Sequence, residues 1–387
     1  MRMRVGIVGP AEPRDIALGL GISPSGLPQG MGGIPVSSLA VAVSCAGHDV
    51  TVISLAPDVS PGEVRRVMVG PVEVLQGPLR MRARDRALDF FKAERDAVSA
   101  MLLQRPVDVV HAQWSYEFAL GALRVRPDAI VAVHDWAPTI LRMNPTAYRF
   151  IRLLMNDRVL SRARYLTCPS PYIAEKLSKK TSALVTVTPN FTDPVMEQNV
   201  GDRKLQIVAA SEGFFGCKNG PKLLEAYSEV RGTHPEVELV LFGSGCEPGG
   251  EAERWATAKH LEDGVCFVGK VSHRALISAI GESKVFVHAS REESFGMVLI
   301  EAMSQGTPVV GGVSSGAVPW VLGHGEAGLL CDIENPLAIA QCVLQLLDAP
   351  TEWTRCSEAG RLRVRDRYVA SAVLPLVEGL YREVLGQ

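Results

Sequence analysis

The chain contains no Cys-x-x-Cys pair: its eight cysteines, Cys45, Cys168, Cys217, Cys246, Cys266, Cys331, Cys342 and Cys356, stand singly. Such scatter argues against a zinc site or a disulfide framework and predicts that most are inert core thiols. Asp-x-Asp is absent as well, and no histidine or cysteine cluster has metal-ligand spacing, so no metal is expected. No uncharged apolar stretch reaches the roughly 18 residues of a membrane span, and Met1-Arg-Met-Arg-Val5 opens on a strand-like segment, which predicts a cytoplasmic protein. There is no solenoid repeat and no Walker loop, and Gly6-Ile-Val-Gly9-Pro10 lacks the G-x-G-x-x-G of a dinucleotide site. The acidic second half and the absence of a recognised nucleic-acid module argue against nucleic acid as the partner.

At 387 residues the chain exceeds the size at which one core stops growing, about 250 to 300 residues, so two domains are expected, and 47% hydrophobic content supports two cores. The charge divides unevenly. Residues 1 to 190 carry 23 lysines and arginines against 16 acidic residues, whereas residues 191 to 387 carry 17 against 26. A basic first half suits an anionic partner, or reflects ordinary surface variation. Arg80, Arg82, Arg84 and Arg86 enter a segment with Phe90-Phe91, and Arg149, Arg152, Arg158, Arg162 and Arg164 decorate a second helical stretch. Basic amphipathic helices can rest on anionic lipid, so peripheral contact with the inner membrane face is one expectation and a solvated charged face the other.

Short β-branched runs alternate with segments of helical period: Met3 to Val8, Val50 to Ser54, Val107 to His111, Ile130 to Val133 and Leu166 to Pro169, then Leu205 to Ala210, Val237 to Gly243, Val265 to Val268, Val285 to His288 and Pro308 to Gly311. Strand-helix alternation predicts an α/β fold with one parallel, helix-covered sheet per half. The expected domains are residues 1–189 and 190–368, joined after a short strand at Leu184 to Thr188. An amphipathic helix over 369–387 is expected to cross back to the first domain. Open parallel sheets bind ligands beyond the carboxyl ends of their strands, where His111, His134, Gly243, Gly269 and Glu293 all fall.

Glu293 and Glu301, in Ser290-Arg-Glu-Glu-Ser-Phe-Gly-Met-Val-Leu-Ile-Glu-Ala-Met-Ser-Gln-Gly306, are the most informative residues. One lies in a loop. The other projects from an apolar helix, Met297 to Met303, where a carboxylate costs several kcal/mol unless donors satisfy it. Hydroxyl-rich ligands such as ribose or hexose supply donors. Gly30-Met-Gly-Gly33 precedes a helix at Pro35 to Ala46, an arrangement that suits an anion or is a plain loop. His134, at a strand end, can hydrogen-bond a sugar hydroxyl or a phosphate oxygen, or be a capped structural histidine; His111 reads as structural or acceptor-side. Lys218, in Gly213-Phe-Phe-Gly-Cys-Lys-Asn-Gly220 before a helix at Pro221 to Val230, can neutralise a departing diphosphate or be a solvated loop lysine.

In order along nearly the full length, Gly32-Gly33, Gly47-His48-Asp49-Val50-Thr51-Val52, Asp108-Val-Val-His111, Val133-His134-Asp135, Pro189-Asn190, Lys218-Asn219, Phe242-Gly-Ser-Gly245, Val268-Gly269 and the Glu293 to Gly306 block running into Pro308-Val-Val310 resemble the retaining GT-B glycosyltransferases of the large family four. That family includes glycogen synthase, sucrose synthase and many bacterial hexosyltransferases. The resemblance implies two Rossmann-like domains facing across a cleft and transfer of a hexose from a nucleotide diphosphate sugar, UDP- or GDP-linked, to a hydroxyl acceptor. It implies no cofactor or metal, and bond cleavage on the face where the acceptor arrives, with the leaving phosphate able to take the acceptor proton. By the same resemblance Glu293, with the Ser294-Phe295-Gly296 backbone, would hold the donor hexose and Glu301 the ribose. Lys218 would hold the diphosphate, approached by Gly33; His134 would contact sugar and phosphate; Gly269 would lie near the base, and Gly32 and Gly243 are further donor-binding candidates. The family often carries an arginine five or six residues before the lysine, where this chain has Gly213 and Glu212. A nonhydrolysing sugar-nucleotide epimerase and a noncatalytic nucleotide-sugar-binding homologue are the alternatives.

Overall fold

A computed structural model describes residues 2–192 and 203–387. The chain divides into two compact units, one of Met1–Asn190 with Val373–Gln387 and the other of Phe191–Ala372.

The first unit is built on β1 (Arg4–Val8), β2 (Asp49–Ala56), β3 (Arg65–Val69), β4 (Val72–Pro78), β5 (Val109–Gln113), β6 (Ile130–Ala132), β7 (Tyr165–Cys168) and β8 (Leu184–Val187). They form one sheet in the order β3-β4-β2-β1-β5-β6-β7-β8. All neighbours run parallel except β3 and β4, which form a hairpin closed at Gly70-Pro71, where Gly70 takes φ +56°. The central strands are near-continuous apolar runs, with Val5, Ile7, Val8, Val52, Ile53, Val109 and Val131 all buried, the pattern of a sheet covered on both faces. Residues 373–387 close this unit. His111 Nδ1 lies 3.1 Å from the Tyr381 hydroxyl, and His48 Nε2 lies 3.0 Å from Glu378 Oε1 while its Nδ1 accepts the Met3 amide.

The second unit carries β9 (Lys204–Ala210), β10 (Glu238–Phe242), β11 (Val265–Gly269), β12 (Ser283–His288), β13 (Val309–Gly312) and β14 (Leu329–Cys331), ordered β11-β10-β9-β12-β13-β14. Every pairing is parallel. In both sheets the connections reverse direction beside the unit's first strand: β1 lies between β2 and β5, and β9 between β10 and β12. Loops leaving the carboxyl ends on either side of such a switch point diverge and leave a crevice. The sequence reading of parallel α/β sheets holds; the β3-β4 hairpin and β14 were not foreseen.

Candidate functional site

The crevice of the second unit is a depression of about 330 Å³ lined by Ser211, Glu212 and Lys218 after β9, Gly243 after β10, Lys270 after β11, His288 and Glu293 at and after β12, and Gly296 and Met297 at the start of the next helix. The local backbone explains its depth. Gly243 takes φ +108°, and a Cβ there would sit 1.9 Å from the Ser211 carbonyl oxygen, so only glycine lets the β9 and β10 loops come this close. Gly296 caps the helix Met297–Ser304 with φ +88°, leaving its first amides without side-chain caps beside the depression.

Lys218 closes a single 3₁₀ turn, Gly216–Lys218, and is followed by Asn219 in a left-handed conformation at φ +58°. Asn219 is fully buried, and its Nδ2 donates to the Ile333 carbonyl at 2.9 Å, which pins the turn from behind. The Arg291 amide donates to Cys217 O at 2.8 Å, its guanidinium reaches Gly216 O, and the same guanidinium pairs with Glu334 at 2.6 Å. These bonds lace the lysine turn to the segment carrying Glu293. Lys218 Nζ thereby donates to Glu293 Oε1 at 2.8 Å. His288 Nε2 lies 3.3 Å from the same oxygen, close enough to attract the carboxylate though not aligned as a hydrogen bond.

Burial by itself would raise the Glu293 pKa, but His288 and Lys218 outweigh it and hold the carboxyl at about 2. The Lys218 ammonium loses hydration by burial, yet Glu293 more than compensates and raises its pKa. Glu293 is therefore an ionised acceptor across the physiological range and has no proton to give. An ionised carboxylate beside an ammonium and helix amides without side-chain caps can orient a polyol and neutralise a phosphate.

The other anticipated residues are placed unevenly. Glu301, on Met297–Ser304, is 5% exposed and has His273 Nε2 2.9 Å from its Oε1. It does not line the same depression as Glu293. Phe295 points into the core against Trp320 and Tyr368, with ring centroids 6.4 and 5.5 Å away, so its side chain is not available to a ligand. Ser294 and Gly269 also lie outside the depression's lining, although Gly269 O accepts the Gly243 amide at 2.9 Å. Gly269 takes φ +80° against Glu247.

His134, Gly32 and Gly33 belong to the first unit, at the carboxyl edge of its sheet. Gly33 caps the helix Ile34–Cys45 with φ +119°, where a Cβ would meet Pro10 O at 2.2 Å; Gly32, at φ +74°, faces open space. His134 Nε2 lies 2.7 Å from Gln113 Oε1, and its ring packs against Trp114 at 4.6 Å. Although part of its surface reaches solvent, desolvation among these groups pushes its pKa down to about 4, so it is neutral near pH 7. His111 is buried between Tyr381 and Thr167 and is structural, with its pKa lowered by burial to about 3. Beyond His134, Asp135 accepts from the Tyr116 hydroxyl at 2.6 Å, and Arg152 lies over the Tyr116 ring and pairs with Glu117 at 2.6 Å. Arg152 and Arg80, the latter paired with Glu94 and Asp89, thus turn to partners within the unit, which weakens the reading of these helices as a lipid-facing surface. Among the described residues no helix is long and apolar enough to cross a membrane, and no group of three or more potential metal ligands is found.

Sequence reasoning missed His288, Lys270, His273 and Arg291. His288 ends β12 just as His111 and His134 sit at strand ends, so the same rule finds it. The others become visible only through partners distant in the chain.

Two helix-covered, largely parallel sheets with a carboxylate, an ammonium and a helix terminus at one carboxyl edge fit a glycosyltransferase of the GT-B fold. The chain belongs to the family-four-like glycosyltransferases of this fold: the family model Glycosyltransferase Family 4 matches residues 36–195 and Glycosyl transferases group 1 matches residues 195–363. It is similar to N-acetyl-alpha-D-glucosaminyl L-malate synthase of Bacillus anthracis, 23% identical over 72% of this chain and 75% of that one. The lipopolysaccharide core biosynthesis glycosyltransferase LpsE of Rhizobium meliloti is 29% identical over 65% of this chain and 75% of its own length. Among solved structures, sucrose-phosphate synthase from Thermosynechococcus elongatus superposes over the whole of both chains with a TM-score of 0.77 at 21% identity.

Proposed function

We propose that this glycosyltransferase moves a hexose from a nucleoside diphosphate sugar, UDP- or GDP-linked, to a hydroxyl acceptor, with retention at the anomeric carbon and without a metal ion, in bacterial glycan, glycolipid or glycoside synthesis. The observation that carries this reading is Glu293, held ionised by Lys218 and His288 in the depression of the second unit. Such a carboxylate accepts hydrogen bonds from hexose hydroxyls, and Lys218 with the first amides of Met297–Ser304 meets the diphosphate. The proposal retains Glu301 as the ribose ligand, His273 being its displaceable donor, and His134 as a neutral ring in contact with the donor sugar and phosphate. Gly32, Gly33, Gly243, Gly269 and the Ser294-Phe295-Gly296 backbone act by letting main chain approach the donor.

In this reading the glycosidic carbon-oxygen bond to the diphosphate breaks, the acceptor oxygen bonds to the same carbon on the same face, and the acceptor proton passes to the departing phosphate. No side chain need serve as base, which agrees with a Glu293 too weakly basic for that role. One relative is named an L-malate conjugate synthase and another a lipopolysaccharide core biosynthesis glycosyltransferase, a small molecule and a glycan, so the acceptor class stays at hydroxyl.

The test is a thermal-shift screen of the full chain against UDP-, GDP-, ADP- and dTDP-sugars, then NMR of products formed with added EDTA. Stabilisation by one nucleotide sugar and an axial-to-axial outcome are expected, since a ligand of the folded state raises apparent stability. An inverted product, or activity abolished by EDTA and restored by Mg²⁺, would overturn the mechanism. Donor binding with no acceptor-dependent release of nucleoside diphosphate would favour the noncatalytic alternative.

A further inference from the structure

The depression of the second unit is electrostatically balanced before any ligand arrives. Its lining includes two carboxylates, Glu212 and Glu293, and two ammonium groups, Lys218 and Lys270. Lys218 is committed to Glu293, and both are largely withdrawn from water. A diphosphate brings two or more negative charges into this space, and the positions five and six before Lys218 hold Gly213 and Glu212, neither of them a cation.

Lys270 is the other cation within the lining. It directly follows β11, and Glu212 lies two residues after β9, so the two flank the carboxyl end of β10. Gly243 permits that approach: its amide donates to Gly269 O at 2.9 Å, while the Ser211 amide donates to Phe242 O at 3.1 Å. These bonds fix the backbones from which both side chains extend. Lys270 Nζ lies 2.9 Å from Glu212 Oε2, with side-chain exposures of 64% and 70%. An ion pair this exposed holds weakly and exchanges readily, unlike the Lys218–Glu293 pair at 26% and 16%.

We propose that Lys270 is the second diphosphate-binding cation of this chain, and that Glu212 is its displaceable counter-ion, released to solvent when phosphate oxygens take its place. The inference rests on the donor-site reading given above and adds to it a residue from a different loop, in place of a cation near Lys218. Glu212 then lowers donor affinity by competing for Lys270, which favours release of the nucleoside diphosphate after transfer.

Calorimetry of the full chain with UDP and GDP tests this, using Lys270→Met, Glu212→Gln, the double variant and Lys218→Met, with the nucleosides uridine and guanosine as controls. Lys270→Met is expected to weaken the bound diphosphate about ten-fold, the scale of one charge-assisted hydrogen bond. Glu212→Gln should tighten it about three-fold, and in the double variant that gain should vanish. Positions 270 and 212 are both exposed, so unchanged melting curves are expected for Lys270→Met, Glu212→Gln and the double variant. If Lys218→Met destroys diphosphate binding while Lys270→Met leaves it within about two-fold of wild type, Lys270 is not a phosphate ligand and the function proposed above stands. An equal loss for nucleoside and diphosphate would make Lys270 a base contact and overturn the inference. If neither diphosphate binds the wild-type chain, both readings fall.

Discussion

Lys218→Met removes the ammonium 2.8 Å from Glu293 while keeping most of the side-chain length. In the intact site burial raises the carboxyl's proton affinity, and His288 and Lys218 reverse this to reach about 2, against an ordinary value of 4.5. That gap corresponds to about 3 kcal/mol favouring the ionised form in the fold. Because the folded value lies below the unfolded one, the stabilisation is complete above about pH 4.5 and is lost as pH falls towards 2. Lys218 is one of two groups producing it, so its removal should take away roughly 1 to 2 kcal/mol and move Glu293 upward by about one pH unit. A carboxyl-carbon NMR titration, with Glu293→Gln to assign the signal, measures the shift directly. Chemical denaturation at neutral pH should show the matching loss, and calorimetry the loss of nucleoside diphosphate binding. A Glu293 still titrating near 2 in the variant would refute the claim that Lys218 holds this carboxylate, and an unchanged diphosphate affinity would remove the lysine from the site.

Three further outcomes are expected. Gly243→Ala places a Cβ 1.9 Å from Ser211 O at φ +108°, so denaturation should show a loss of at least about 2 kcal/mol, whereas wild-type stability would mean the β9 and β10 loops yield freely. His111 and His134 have folded pKa values of about 3 and 4, below the usual 6.5. Their neutral forms are favoured in the fold, so stability declines as pH falls below 6.5, by about 2 kcal/mol per histidine at pH 5; a stability flat from pH 7 to 5 would contradict their burial as neutral rings. Glu301→Ala should weaken nucleotide-sugar binding about ten-fold or more by calorimetry, and unchanged affinity would reassign Glu301 as a structural partner of His273.

The parallel sheets were legible because buried parallel strands read as continuous apolar runs, as in Val5 to Val8 and Val285 to Val287. The β3-β4 hairpin was not, because Arg65, Arg66 and Glu73 interrupt the apolar pattern and pair with one another or with neighbours such as Asp58 and Arg105 across the sheet edge. Glu293 and Lys218 were recognisable as candidates from the turn and helix signals around them, but not as an ion pair, since 75 residues separate them. Glu301 stood out as a carboxylate in an apolar helix, yet its donor, His273, lies in the helix His273–Glu282 and carries no local signal of that contact. In the arginine segments local periodicity suggested an outward basic face, and Arg82, Arg84, Arg158, Arg162 and Arg164 are exposed, while Arg80 and Arg152 find Glu94 and Glu117 in the folded unit, partners that no local pattern announces.

The first unit takes its closing piece, residues 373–387, from a stretch that follows the whole of the second unit in the chain. During synthesis the Phe191–Ala372 segment therefore has all its strands before the first sheet can receive Tyr381 against His111 or Glu378 against His48. The first unit starts first and finishes last, and in the interval the face of its sheet around His111 is open to water and to chaperones. A lesion at Val377, Leu380 or Tyr381 should thus register as misfolding of the amino-terminal sheet, with the second unit's core left intact.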